Sequence, residues 1–163
     1  MLREAFEAVL AELPAAAQKV YGERLVSVVV YGSVGRGTPR FDSDIDVLIV
    51  AEGLSRRRPE RVYEFEQVED LLAPVLAQAK KAGLYTYLSP VFKTPEEVGQ
   101  GSLLFLDFVD DARILYDRDN FFTNFLQDFK KRLARLGAYK VRYGGTWYWV
   151  LKPDYQPGEV FEI

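Results

Sequence analysis

Apolar and polar positions along this chain change period several times, and each change marks an element. Leu2, Phe6, Val9, Leu10 and Leu13 recur at helical spacing and predict a first helix that Pro14 ends or kinks, with resumption to about Tyr21. The mostly apolar run from Leu25 to Tyr31 reads as a buried strand, followed by a helix opening near Ser33 and a second strand from Ile45 to Val50. Arg56-Arg57-Arg58-Pro59 leads into a long helix to about Ala82, with Gly83 as its C-cap, and Leu84 to Phe92 reads as a third strand. Thr94-Pro95-Glu96-Glu97 supplies an N-cap, a first-turn proline and acids that complement the helix dipole, so a short helix follows. Ala112 to Tyr116 forms a further short strand. Phe121 to Leu136 is a helix stopped by Gly137, and Tyr139 to Lys152 forms two strands turning at Gly144-Gly145. The order is α/β: a small mixed sheet flanked by helices, with a C-terminal helix and an aromatic hairpin as extension.

At 163 residues the chain buries one core and is too short for two ordinary domains, so we expect a core over 1–119 and an extension over 120–163 packed on it. The content, 48% hydrophobic and 28% charged, is that of a globular protein. A net charge of -3 gives no general attraction for polyanions, and broad coating of nucleic acid is not expected. With no His and no Cys the chain lacks imidazole or thiolate nucleophiles, the usual zinc ligands and disulfides. Oxygen ligands remain, and they suit Mg²⁺ or Mn²⁺. No apolar stretch approaches a membrane span, and the start, Met1-Leu2-Arg3-Glu4-Ala5-Phe6-Glu7, is acidic and unlike a signal peptide, so we expect a cytoplasmic protein. One Met and no Cys fit a thermophilic source.

The candidate chemistry sits on Ser43-Asp44-Ile45-Asp46. Side chains alternate across a strand, so Asp44 and Asp46 share a face, their backbones about 6.6 Å apart, a span over which carboxylates converge on divalent ions. Two like charges beside apolar strands repel, and a metal or hydrogen bonds would relieve that cost. Gly32 lets backbone approach a ligand, Ser33 offers its hydroxyl and amide at a helix start, and Arg36 adds a charge-assisted contact to phosphate. Ser43 and Asp42 read as turn residues.

Gly32-Ser33, ten intervening residues, then Asp44-Ile45-Asp46 resembles the signature of the polymerase-beta-type nucleotidyltransferases. The spelling Gly32-Ser33-Val34-Gly35-Arg36-Gly37 is most similar to their minimal bacterial and archaeal members. The resemblance implies a polymerase-beta-like core, a nucleoside triphosphate such as ATP, magnesium held by Asp44 and Asp46, and phosphates held by Gly32, Ser33 and Arg36. It implies transfer of a nucleotidyl group, expected to be adenylyl, to an acceptor hydroxyl of unknown identity. It also implies an antitoxin-like role beside a small helical HEPN-type partner, in a homo- or hetero-oligomer. Active relatives carry a third carboxylate on the next core strand, and Leu84 to Phe92 holds none. Tyr87 or Ser89 would stand in its place, and Asp107 is the next candidate catalytic acid. That gap leaves open a nucleotide-binding or protein-interaction module with weak chemistry or none. Tyr139, Tyr143, Trp147, Tyr148 and Trp149 are expected to form cross-strand pairs and core contacts, with an aromatic surface for a partner or an acceptor base as the alternative.

Overall fold

A computed structural model describes residues 1–163 and divides them into two compact units, Met1–Phe122 and Thr123–Ile163. In the first unit, α1 (Leu2–Tyr21) leads into β1 (Leu25–Tyr31), a single turn α2 (Gly32–Arg36), β2 (Ile45–Ala51) and the long α3 (Arg58–Lys81). β3 (Leu88–Lys93), the short α4 (Pro95–Gly99) and α5 (Phe108–Asp111), and β4 (Arg113–Asp117) complete it. The sheet order is β3-β2-β1-β4, with β1 antiparallel to both neighbours and β2 parallel to β3, a mixed sheet.

Every residue of β1 is buried, which is why its sequence runs apolar without alternation save at Ser27, whose hydroxyl donates to the Asp117 carboxylate at 2.7 Å. Val28, Val30, Ile45, Val47 and Ile49 face a layer made by α1 and α3, where Phe6, Leu10, Leu13, Phe65, Val68 and Leu72 form the core. On the opposite face Phe108 lies against Tyr31, with ring centres 4.2 Å apart, and Phe105 and Phe122 pack on Phe108 at 5.8 and 5.5 Å. Truncating such a buried ring costs about 3–5 kcal/mol.

The elements follow the periodicity closely, with two differences. Pro14 neither ends nor splits α1, because Leu10, Leu13, Ala16 and Ala17 are buried on either side of it and hold both halves to the same core. The third strand begins at Leu88 rather than Leu84. Residues 84–87 instead bond to the loop before β2: Tyr85 N–H donates to Phe41 C=O at 3.1 Å and the Thr86 hydroxyl to Ser43 C=O at 2.7 Å. The N-terminal signal at Thr94 is present as a reciprocal capping box with Glu97, whose carboxylate also takes a bidentate pair from Arg61 at 2.9 and 2.7 Å.

The second unit comprises most of α6 (Phe121–Leu136), ended by Gly137 at φ 74°, and an antiparallel hairpin of β5 (Tyr139–Tyr143) and β6 (Thr146–Val150). The turn between them is Gly144-Gly145, as the pattern predicts.

Candidate active site

β1 delivers Tyr31 to the point where the chain turns sharply, and the antiparallel register sets Tyr31 opposite Asp46 on β2. The turn is made by Gly32 at φ 67°, and a Cβ built there would overlap the Asp46 carboxylate. Only glycine permits both the left-handed backbone and that close approach. Gly35 is required for a different reason: a Cβ there would run into the carbonyl oxygens of Asp111 and Val30, so α2 lies directly against backbone. Ser33, half-buried, occupies the first turn of α2, where backbone N–H groups have no intrahelical acceptor.

Asp46 stands on the face of β2 away from α1 and α3. Partial burial, then the charges of Asp44 and Asp107, push its carboxyl above the usual range. Asp107 also reaches Tyr31, whose phenol is pushed up to about 12, first by burial and then by Asp46 and Asp107. Asp44, one residue removed in the sequence signature, thus acts on Asp46, and Asp107, at the turn before α5, adds to the field there. Tyr87 comes to the site through the loop that replaced the start of the expected strand. Its C=O accepts from Ile45 N–H at 2.9 Å, and a hydrogen bond to Asp44, then that carboxylate's charge, raises its exposed phenol. Ser89 pairs with Asp46 across the parallel β2–β3 ladder. Tyr87 and Ser89, the two residues expected where relatives carry a third carboxylate, thus border the acid pair.

Arg36 is engaged within the protein. It donates to Asp111 at 2.6 Å and to Thr38 at 3.2 Å, fastening α2 to α5 with half of its side chain still in solvent. Asp42 is exposed beside Arg40, and the Ser43 hydroxyl accepts from Arg40 N–H at 2.8 Å, the turn roles expected of both. Sequence reasoning passed over Tyr31 and Asp111. The signal for Tyr31 was its place at the strand end before Gly32, but its pairing with Asp46 depends on a register that one strand does not reveal. Asp111 carried no signal, since its partner Arg36 lies 75 residues away.

No set of three or more acidic side chains closes on a single point. The donor set that is present, two carboxylates with a third acid in their field, fits Mg²⁺ or Mn²⁺. Mg²⁺ in phosphoryl chemistry takes one or two protein carboxylates and completes its shell with phosphate oxygens and water. Burial, then the charges of Asp44 and Asp107, raises the Asp46 carboxyl, and a bound cation would offset both.

A glycine turn and paired strand acids thus meet at one end of a small mixed sheet. The chain belongs to the nucleotidyltransferase domain family, of the polymerase-beta type: the family model matches residues 13–97, which include both half-motifs. It is 30% identical over 118 residues to a Methanocaldococcus jannaschii protein named "Putative protein adenylyltransferase MJ1305", a match covering 71% of this chain and 75% of that protein. Among solved structures it is distantly similar to a toxin-antitoxin with AMP-PNP, with TM-score 0.47, 15% identity, and coverage of 77% of this chain and 91% of the other. It is also distantly similar to the toxin-antitoxin MntA-HepT, with TM-score 0.45, 12% identity, and coverage of 80% and 92%.

Proposed function

We propose that this protein transfers an adenylyl group from ATP to an acceptor hydroxyl, the bond from the hydroxyl oxygen to the α phosphorus forming as the α–β phosphoanhydride breaks and pyrophosphate leaves, with Asp44 and Asp46 as the ligands of divalent magnesium or manganese. The observation that carries the proposal is Gly32: its φ of 67° and missing Cβ seat the phosphate-binding turn directly against Asp46. Ser33 and the first amides of α2 hold the β and γ phosphates, and Arg36, already fixed by Asp111, keeps that turn in position. A cation held by Asp44 and Asp46 supplies charge neutralisation for the triphosphate and acidifies the acceptor hydroxyl. We assign the proton acceptor to Asp107, supported by its field at both Asp46 and Tyr31.

Incubation with labelled ATP and magnesium, beside an Asp44→Asn, Asp46→Asn variant, tests the reading. Labelled product is expected from the unaltered chain alone, and equal labelling by both would overturn the metal role. Asp107→Asn is expected to lower the transfer rate about 10²-fold while MgATP affinity holds. Unchanged transfer would leave Asp107 as a helix-end acid.

A second reading is favoured by β3, whose residues Leu88–Lys93 include no carboxylate. On that reading the chain binds nucleotide without efficient transfer. Calorimetry with MgATP followed by a product assay separates the two, since only the second gives binding without product. The resemblance to minimal nucleotidyltransferases supports a HEPN-type helical protein as partner on either reading. Co-expression followed by size-exclusion chromatography tests for a joint peak.

A further inference from the structure

The second unit differs in charge from the first. Thr123–Ile163 holds seven Lys and Arg against four Asp and Glu, a net +3, whereas Met1–Phe122 holds 14 against 20, a net of −6. Both tryptophans of the chain lie in this basic unit, on β6.

Strand alternation sorts the hairpin into two faces. The register pairs Lys140 with Trp149 and Arg142 with Trp147, so one face is made of two cations and two indoles. The Lys140 ammonium lies 5.9 and 5.7 Å from the Trp147 and Trp149 ring centres, and the Arg142 guanidinium 5.9 Å from Trp147. Trp147 is 57% exposed. The cross-strand pairs expected of the aromatics form, with the two tryptophans opposite cations and Tyr139, Tyr148 and Tyr143 opposite Val150, Val141 and Thr146, and Trp147 remains in solvent.

We propose that this face binds single-stranded nucleic acid, with bases stacked on Trp147 and Trp149 and phosphates drawn to Lys140 and Arg142. A base stacked on an indole gains more than an exposed cation–π contact, so a strand displaces the cations from the rings toward its own backbone. Residues two apart on one strand lie about 6.8 Å apart, twice the 3.4 Å spacing of stacked nucleotides, so neighbouring indoles match alternate bases. Trp and Arg also occur at protein interfaces, but Lys140 and the net +3 of this unit favour a polyanion as the occupant. The net charge of the whole chain hides this surface by averaging it with the acidic unit.

The test is a titration of the full chain, without nucleoside triphosphate, with a single-stranded RNA of about 12 nucleotides at about 50 and about 200 mM salt. Tryptophan emission reports on this face alone, since the chain has no other indole. Quenching on binding is expected, with log K falling against log salt at a slope of about −0.7 for each phosphate contacted. Trp147→Ala is expected to weaken binding about 5- to 150-fold, and Trp147→Phe, which keeps a stacking ring, by less. Lys140→Gln with Arg142→Gln should make the salt slope shallower by about 1.4. The Asp44→Asn, Asp46→Asn variant should bind as the unaltered chain does, which separates this surface from the transfer reaction. No quenching at about 100 μM RNA in low salt, or binding indifferent to the tryptophan and cation variants when circular dichroism shows them folded, would overturn the proposal. A protein captured through Trp147 with RNA left unbound would overturn it as well.

Discussion

Gly35 and Gly32 look alike in the sequence and do different work in the fold. Asp111 and Val30 carbonyls fill the place of a Cβ at Gly35, while at Gly32 the obstacle is the Asp46 side chain, compounded by a left-handed backbone. Gly35→Ala is therefore expected to cost about 2–3 kcal/mol, a fall in Tm of roughly 4–12 °C by calorimetry, because backbone cannot give way as a side chain can. At Asp46 the charge itself is the burden in the ligand-free protein. Its folded pKa is raised, so its favourable contribution exists below the unfolded value and is lost as pH rises through the folded one. Asp46→Asn is expected to raise Tm at pH 7 by about 2–4 °C, with the difference from the unaltered chain vanishing below about pH 4. The motif Gly32-Ser33 to Asp46 was legible because its residue types and spacing are local. The roles of Tyr31 and Asp111 were not, since both depend on contacts between distant segments.

Among the elements, α4 shows how little sequence suffices when caps are explicit. Thr94, Pro95 and Glu97 predicted a helix start, and the structure adds Arg61, whose guanidinium is nearly enclosed, as the bidentate partner of Glu97. The hydrogen bond from Arg61, then that from Thr94 N–H and the charge of Arg61, outweigh burial and hold the Glu97 carboxyl below its ordinary range. Such a depressed group stabilises above its unfolded pKa and loses that contribution as pH falls through the folded value. Glu97→Gln should cost about 1 kcal/mol at pH 7 in urea unfolding, and the deficit should begin to shrink as pH falls below about 4 and vanish only below the lowered folded value. Thr94→Ala, which removes the other half of the capping box, should cost about 1 kcal/mol at every pH. The misplaced start of β3 has an equally local cause that periodicity could not show: the backbone and hydroxyl donors of residues 85 and 86 are spent on the loop at 41–43. That diversion brings Tyr87 beside Asp44.

For the whole molecule, the apolar pattern foretold a small mixed sheet with helices against it, but not that β1 would be its antiparallel centre or that charge would divide between the units. Strand order is a property of pairings, and the uneven distribution of charge becomes visible only once the division at 122–123 is known. Phe108→Ala tests the layer opposite α1 and α3. Stability is expected to fall by about 3–5 kcal/mol in urea unfolding, since Tyr31, Phe105 and Phe122 would all lose a ring against which they pack.

The sheet order leaves β3 with one side unpaired, and that strand carries Pro90, which has no amide hydrogen to donate. An incoming strand would find the ladder interrupted at its middle, so the proline acts as a guard against templated, fibril-like growth of copy upon copy. Pro90→Val should preserve the fold yet shorten the lag before thioflavin fluorescence rises in concentrated, gently heated solution.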